Sequence, residues 1–251
     1  MTDVPRHKAG EPTDTYDPDY FHRVVDCQYA CPAHTDVPGY IRLIAQGRFS
    51  DAYMLNRDSN VFPGILGRVC DRPCEPACRR GRVDEQKPVA ICRLKRVTYD
   101  LKDDITDRLP KAPPKTNGKR IALVGAGCAS LTIANDLAPL GYEITIFEKL
   151  HETGGLMRSN IPQFRLPPGV LDEEIENILD IGNVDLRLNS PIDSMKALLD
   201  EGYDAVFVGS GAPRGKELKA PGREEAGDTG HVFIGIDWLE SVAFGHTEKI
   251  G

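Results

Sequence analysis

Two sets of residues in this chain have the types and the spacing to do chemistry: a run of cysteines and a turn of glycines. Cys27-x3-Cys31-Pro, in the stretch CQYACP, is echoed by Cys70-x3-Cys74-x3-Cys78, in CDRPCEPAC, and Cys92 follows. Thiolates bind zinc and iron–sulfur clusters. Zinc sites usually space their cysteines as CxxC. Gaps of three residues with prolines beside them fit an iron–sulfur cluster better. Zinc and plain core cysteines are the competing readings.

The second set is Gly125-Ala126-Gly127-Cys128-Ala129-Ser130, a GxGxxG pattern with serine in the third place. It follows the apolar run RIALV and opens a helical stretch. The first glycine permits a tight turn and the second lets backbone approach a pyrophosphate. The helix N-terminus then offers N–H groups and a positive dipole end. Glu148 closes the next apolar run, where a carboxylate can accept ribose hydroxyls. This context points to a dinucleotide. Cys128 simply sits in the turn.

Around these residues the chain divides in two. Residues 1–20 are polar and rich in proline, and read as a tail or an arm on a partner. Residues 21–110 hold six of the seven cysteines. There, VPGYIRLIAQGRFSDAYMLNR has helical periodicity broken near Gly47, and PVAICRLKRVTYDLKDD reads as a helix with Pro88 near its start. Residues 111–119, KAPPKTNGK, read as a linker. From residue 120 strands alternate with helices: RIALV, CASLTIANDLAPLG, YEITIFEK, LDEEIENILDIG, VDLRLN and YDAVFVGSGAP. That order predicts a parallel α/β sheet. The expected fold class is α followed by α/β: a helical domain, then the first part of a Rossmann-like domain.

The chain has 251 residues, 40% of them hydrophobic, and a formal net charge of −7. The acidic balance disfavours a non-specific nucleic-acid binder. No apolar run is long enough for a membrane span, and the N-terminus carries no apolar signal region. We therefore expect a cytoplasmic protein, where cysteines serve metal or redox roles rather than a disulfide framework. Arg79, Arg80, Arg82, Arg93, Lys95 and Arg96 cluster around the cysteines. A solvated face is the plainer reading; a docking patch for an acidic electron partner, or a field that raises a cluster's potential, is the sharper one.

A second glycine pair, Gly154-Gly155, follows Glu148, and Gly209-Ser210-Gly211 ends the last apolar strand. The stretch GGLMRSNIPQFRLP closely resembles the FAD domain of the glutamate synthase small subunit and dihydropyrimidine dehydrogenase family. The cysteine region precedes it in the order found there, so the resemblance extends over roughly residues 24–250. It implies FAD, with Gly125, Gly127 and Ser130 at the pyrophosphate and Glu148 at the adenosine ribose. Gly155, Leu156, Arg158 and Arg165 would lie toward the flavin, and Gly211 would approach FAD again. The family inserts an NAD(P)H domain with its own glycine fingerprint. None occurs here, which suggests that the sequence is a fragment.

The resemblance also sorts the cysteines. Cys31, Cys70 and Cys74 match three ligands of one family [4Fe-4S] cluster, whose fourth ligand is a glutamine or glutamate at the place of Lys95. An ammonium has no lone pair to offer. Cys92, one helical turn earlier on the same face, is the candidate replacement. Cys27 and Cys78 match a second cluster whose CxxC pair has no counterpart in DYFHRVVDCQYAC. They are relics, or they ligate a second cluster with His22, Asp26 or a partner's residue. One cluster is the expectation, two the alternative. The function implied is an electron-transfer subunit of a larger redox complex, passing electrons between NAD(P)H, FAD, the cluster and another redox subunit. A non-catalytic assembly subunit with vestigial cofactors is the alternative, and an FAD-dependent oxidase a third. No Ser/His/Asp set, acid–base carboxylate pair or metalloprotease signature occurs, so no catalytic residue is assigned.

Overall fold

The computed structural model describes residues 25–82, 87–216, 220–223 and 232–247. The expected N-terminal tail and His22 lie outside the described residues. The helical half contains α1 (Asp26–Ala30), α2 (Val37–Ala45), α3 (Phe49–Arg57), α4 (Pro63–Val69) and α5 (Ile91–Asp100). Asp36 caps α2, its carboxylate accepting from the Gly39 N–H at 2.9 Å. The predicted break falls at Gly47, whose φ of +73° ends one helix so that α3 can turn back onto it. The helix expected after Pro88 begins three residues later, at Ile91.

The α/β half contains β1 (Arg120–Val124), α6 (Cys128–Leu137), β2 (Glu143–Phe147), α7 (Leu156–Ser159) and α8 (Pro168–Leu179). It continues with β3 (Val184–Arg187), α9 (Met195–Asp200), β4 (Ala205–Val208) and α10 (Gly235–Ala243). The four strands form one parallel sheet in the order β3-β2-β1-β4. Leu123, Ile144 and Ile146, all buried, pack the sheet against Leu131 of α6 and Ile178 of α8. The expected alternation of strands and helices is the observed one.

The linker at 111–119 holds no helix or strand, yet it is tied to the α/β half. The Ala112 N–H donates to the Ile181 carbonyl at 2.7 Å, and the Asn117 N–H to the Gly141 carbonyl at 2.9 Å. Nor do the halves meet only through it. Val61, Phe62 and Ile65 of the helical half belong to the same apolar core as the sheet. At its centre Glu174 of α8, 1% exposed, accepts from the first N–H groups of α4: Gly64 at 2.7 Å and Ile65 at 3.0 Å. The Tyr53 hydroxyl donates to it at 3.1 Å. A carboxylate from one half thus caps a helix of the other. Arg57, also buried, donates to the Asn135 side chain of α6 at 2.8 Å.

Candidate electron-transfer site

The resemblance implies two groups of cysteines. Cys31 ends α1, Cys70 ends α4, Cys74 follows in a tight turn, and Cys92 lies in the first turn of α5. Helices α4 and α5 bring these segments together. Gly67 has no side chain where one would sit 2.7 Å from the Arg96 backbone, so the two helix axes can close. The Cys92 thiol then donates to the Leu66 carbonyl at 3.3 Å, and its N–H to the Glu75 carboxylate at 3.0 Å. The Arg72 N–H donates to the Cys70 sulfur at 3.3 Å, a bond of the kind that tunes cluster sulfurs. From α2, the Tyr40 hydroxyl donates to the Ile91 carbonyl at 2.9 Å, fixing the start of α5.

Each thiol carries the mark of its neighbours. The neighbouring Cys92 thiol holds the Cys70 thiol down at about 6, against burial, and the same interaction with burial pushes Cys92 up. Burial pushes Cys74 up to about 11, with the Cys70 and Cys31 sulfurs adding to it. Burial also opposes ionisation of Cys31, but hydrogen bonds with Thr35 and the Lys95 ammonium hold its thiol below the usual range. The second group is a pair. Cys27 is raised chiefly by burial, with the Cys78 sulfur contributing. An ion pair from Arg79 to Asp26, 2.8 Å, holds the two segments side by side.

The resemblance sorts Cys31, Cys70, Cys74 and Cys92 from Cys27 and Cys78; in the structure Cys27 also packs against the apolar cluster that holds Cys74. Among the described residues no three His, Cys, Asp or Glu side chains converge closely enough to hold one metal ion. A cluster takes one thiolate per iron, so its sulfurs stand farther apart than those around a single ion. Cys74 lies in an apolar shell with Val37, Tyr40, Ala52 and Ile91, and a low-polarity shell of this kind suits a cluster.

The expected basic patch is not one surface. Arg79, Arg80, Arg93 and Arg96 are exposed, and Arg79 and Arg96 pair with Asp26 and Asp100. Lys95 is 6% exposed, one turn beyond Cys92 on the inner face of α5. The sequence does not distinguish it from its exposed neighbours; only the helix face on which Cys92 lies marks it.

At the glycine turn, Gly125 has φ +97°, and a side chain there would meet the Gly209 carbonyl oxygen at 2.6 Å. Only glycine fits this crossing of the two strand exits. Around Gly127 the space is open: an added carbon would meet nothing nearer than 4.0 Å. Helix α6 starts there without a side-chain cap, leaving its first N–H groups facing that space. This cradle fits a pyrophosphate. Ser130 is fully buried with its Oγ unpartnered among the described residues, and it packs against Gly209. It therefore serves helix–strand packing rather than facing the cradle.

Glu148 is buried. Its carboxylate accepts from the Ala126 N–H at 2.7 Å and the Leu150 N–H at 3.0 Å, so it braces the glycine turn and keeps lone pairs for a ribose. The Gly154 N–H donates to the Ala126 carbonyl at 2.9 Å, laying Gly155 against Gly127. Leu156 and Arg165 are exposed, and Gly211 stands in open space at φ +67°. Arg158 is engaged: its guanidinium binds the Thr153 carbonyl, Glu152 and Asp172, tying this loop to α8.

Comparison with known proteins agrees with this two-part geometry. Residues 22–106 match the family described as dihydropyrimidine dehydrogenase domain II, 4Fe-4S cluster, and residues 123–179 match the NAD(P)-binding Rossmann-like domain. The chain is a homologue of the glutamate synthase small chain and of PreT. It is 37% identical over 239 residues to the NADP(+)-dependent formate dehydrogenase subunit beta of Moorella thermoacetica, covering 86% of this chain and 33% of that protein. To the PreT homologue of Salmonella typhi it is 37% identical over 218 residues, covering 85% and 51%. To the glutamate synthase [NADPH] small chain of Mycobacterium tuberculosis it is 34% identical over 203 residues, covering 80% and 41%. The chain thus spans between a third and a half of the length of these relatives. They are subunits of oxidoreductases. No helix among the described residues is long and apolar enough to cross a membrane.

Proposed function

We propose that this chain is the electron-relay part of a flavo-iron–sulfur oxidoreductase subunit. The observation that carries the reading is the seven-residue α4. Its C-terminus presents Cys70, and its N-terminus is capped by Glu174 of the dinucleotide-binding half. At ~1.5 Å per residue this helix spans about 10 Å. The cysteine group and the α/β half are thereby linked through one short helix.

In this reading Cys31, Cys70, Cys74 and Cys92 hold one [4Fe-4S] cluster, and the apolar shell keeps water from it. Cys27 and Cys78 are the ligand pair of a possible second cluster. Gly125 and Gly127 admit the pyrophosphate of FAD to the α6 N-terminus, Ser130 sets the packing of that helix, and Glu148 accepts from the adenosine ribose. Gly155, Leu156 and Arg165 border the flavin side, Arg158 holds their loop in place, and Gly211 approaches the dinucleotide from β4. When bound, a flavin exchanges electron pairs with NAD(P)H and single electrons with a cluster. NAD(P)H would bind on a further domain, and another redox subunit of a cytoplasmic complex would take or supply the single electrons.

Anaerobic titration of the purified protein with dithionite tests this. The expected result is a flavin absorbance that bleaches and a paramagnetic cluster signal that grows in the same titration. A protein with neither signal, or with flavin alone, contradicts the relay.

A further inference from the structure

We propose that Lys95 is the built-in counter-charge of the four-cysteine site, and that it raises the reduction potential of the cluster held there. The proposal rests on the iron–sulfur reading above. Cys92 and Lys95 lie one turn apart on the buried face of α5, while Arg93 and Arg96 point to solvent. Lysines are rarely fully buried unless paired, and usually carry their ammonium back to water. Lys95 is 6% exposed as a residue. Among the described residues its ammonium has no hydrogen bond and no ion pair. The acid that acts on Cys74 and Cys92, Glu75, spends Oε1 on the Cys92 N–H.

Lys95 lies one turn from Cys92, on the buried face of α5 that carries that thiol. Its charge favours the ionised form of Cys31, Cys70, Cys74 and Cys92. A positive charge held at the edge of a low-polarity shell is favoured by an anion beside it. Four thiolates around a cluster supply that anion, and one added electron makes it more negative still. A nearby fixed cation then favours the reduced form, which raises the potential. Lys95 acts as a charge and not as a ligand, so an arginine in its place should serve.

The test uses the full chain, purified without oxygen, as wild type, Lys95→Met and Lys95→Arg. Iron and acid-labile sulfide per chain are measured first. The cluster's midpoint potential is then followed by electron paramagnetic resonance during titration with dithionite, a one-electron donor. The expected result is an unchanged midpoint in Lys95→Arg and a fall in Lys95→Met of about tenfold in the reduction equilibrium, about 59 mV for one electron. Loss of iron from Lys95→Met with retention in Lys95→Arg also supports the counter-charge. An unmoved midpoint in Lys95→Met overturns it, as does the same shift or the same loss of iron in both variants. Wild-type protein without iron overturns the iron–sulfur reading and this proposal with it. Iron-loaded wild type with an indifferent Lys95→Met overturns this proposal alone.

Discussion

The glycine turn of the α/β half is built from backbone, whereas the cysteine group of the helical half is built from side chains. Gly125, Gly127 and the start of α6 sit within one short run of sequence, braced by a single carboxylate, Glu148. Cys31, Cys70, Cys74 and Cys92 come from three separate segments, two of which are brought together where α4 and α5 pack closely at Gly67. The first site needs little from the rest of the fold. The second depends on helix packing and on a buried charge. Glu174 joins the two, because its carboxylate caps α4 from α8.

The largest effect should come from the side-chain site. Cys74→Ala is expected to abolish iron binding while FAD stays bound, as read by iron analysis and flavin absorbance on the same sample. Loss of both would show that the halves are not separable in this way. Next comes the joint. Glu174→Ala leaves the Gly64 and Ile65 N–H groups and the Tyr53 hydroxyl buried without their acceptor. It should cost about 3 kcal/mol in chemical denaturation and loosen both sites together. A loss under 1 kcal/mol would mean that Glu174 does not join them.

Smaller again is the backbone site. Gly125→Ala places a methyl against the Gly209 carbonyl at a φ that disfavours side chains. About 2 kcal/mol of strain is expected, with FAD lost and iron retained. The pH dependence of the joint is subtler. Burial pushes the Glu174 carboxyl up to about 7, while an unfolded glutamate titrates near ~4.3. Between these values the folded protein keeps a proton that the unfolded chain releases. Its stability should therefore fall as pH rises from about 4.3 to 7, by up to about 1 kcal/mol per unit, and Glu174→Gln should remove that slope. An identical slope in the variant would assign the dependence elsewhere. The smallest effect is expected at the pair: Cys27→Ala should leave the iron content near the wild-type value, whereas halving it would place a second cluster at Cys27 and Cys78.

The glycine half was nearly all legible in the sequence, because its chemistry is local. A positive φ at Gly125 and a small residue at 130 are demands that a few neighbouring positions reveal. The same holds for the four strands, whose apolar runs match the sheet. The cysteines could be sorted only by resemblance, because which thiols share a site depends on how separate helices pack. Lys95 could not be separated from Arg93 and Arg96, because burial is decided by how α5 packs on α4 and not by residue type. Helix α4, too short for periodicity, passed unseen, and so did Glu174. Glutamate in the amphipathic stretch LDEEIENILDIG ordinarily means a solvated face, and here its partner lies 110 residues away.

The measurement that tests the account most directly is iron, acid-labile sulfide and FAD per chain in protein purified without oxygen. The account predicts about four irons, about four sulfides and one FAD, a single [4Fe-4S] cluster beside a flavin. Zinc in place of iron, or iron with no flavin, would contradict it.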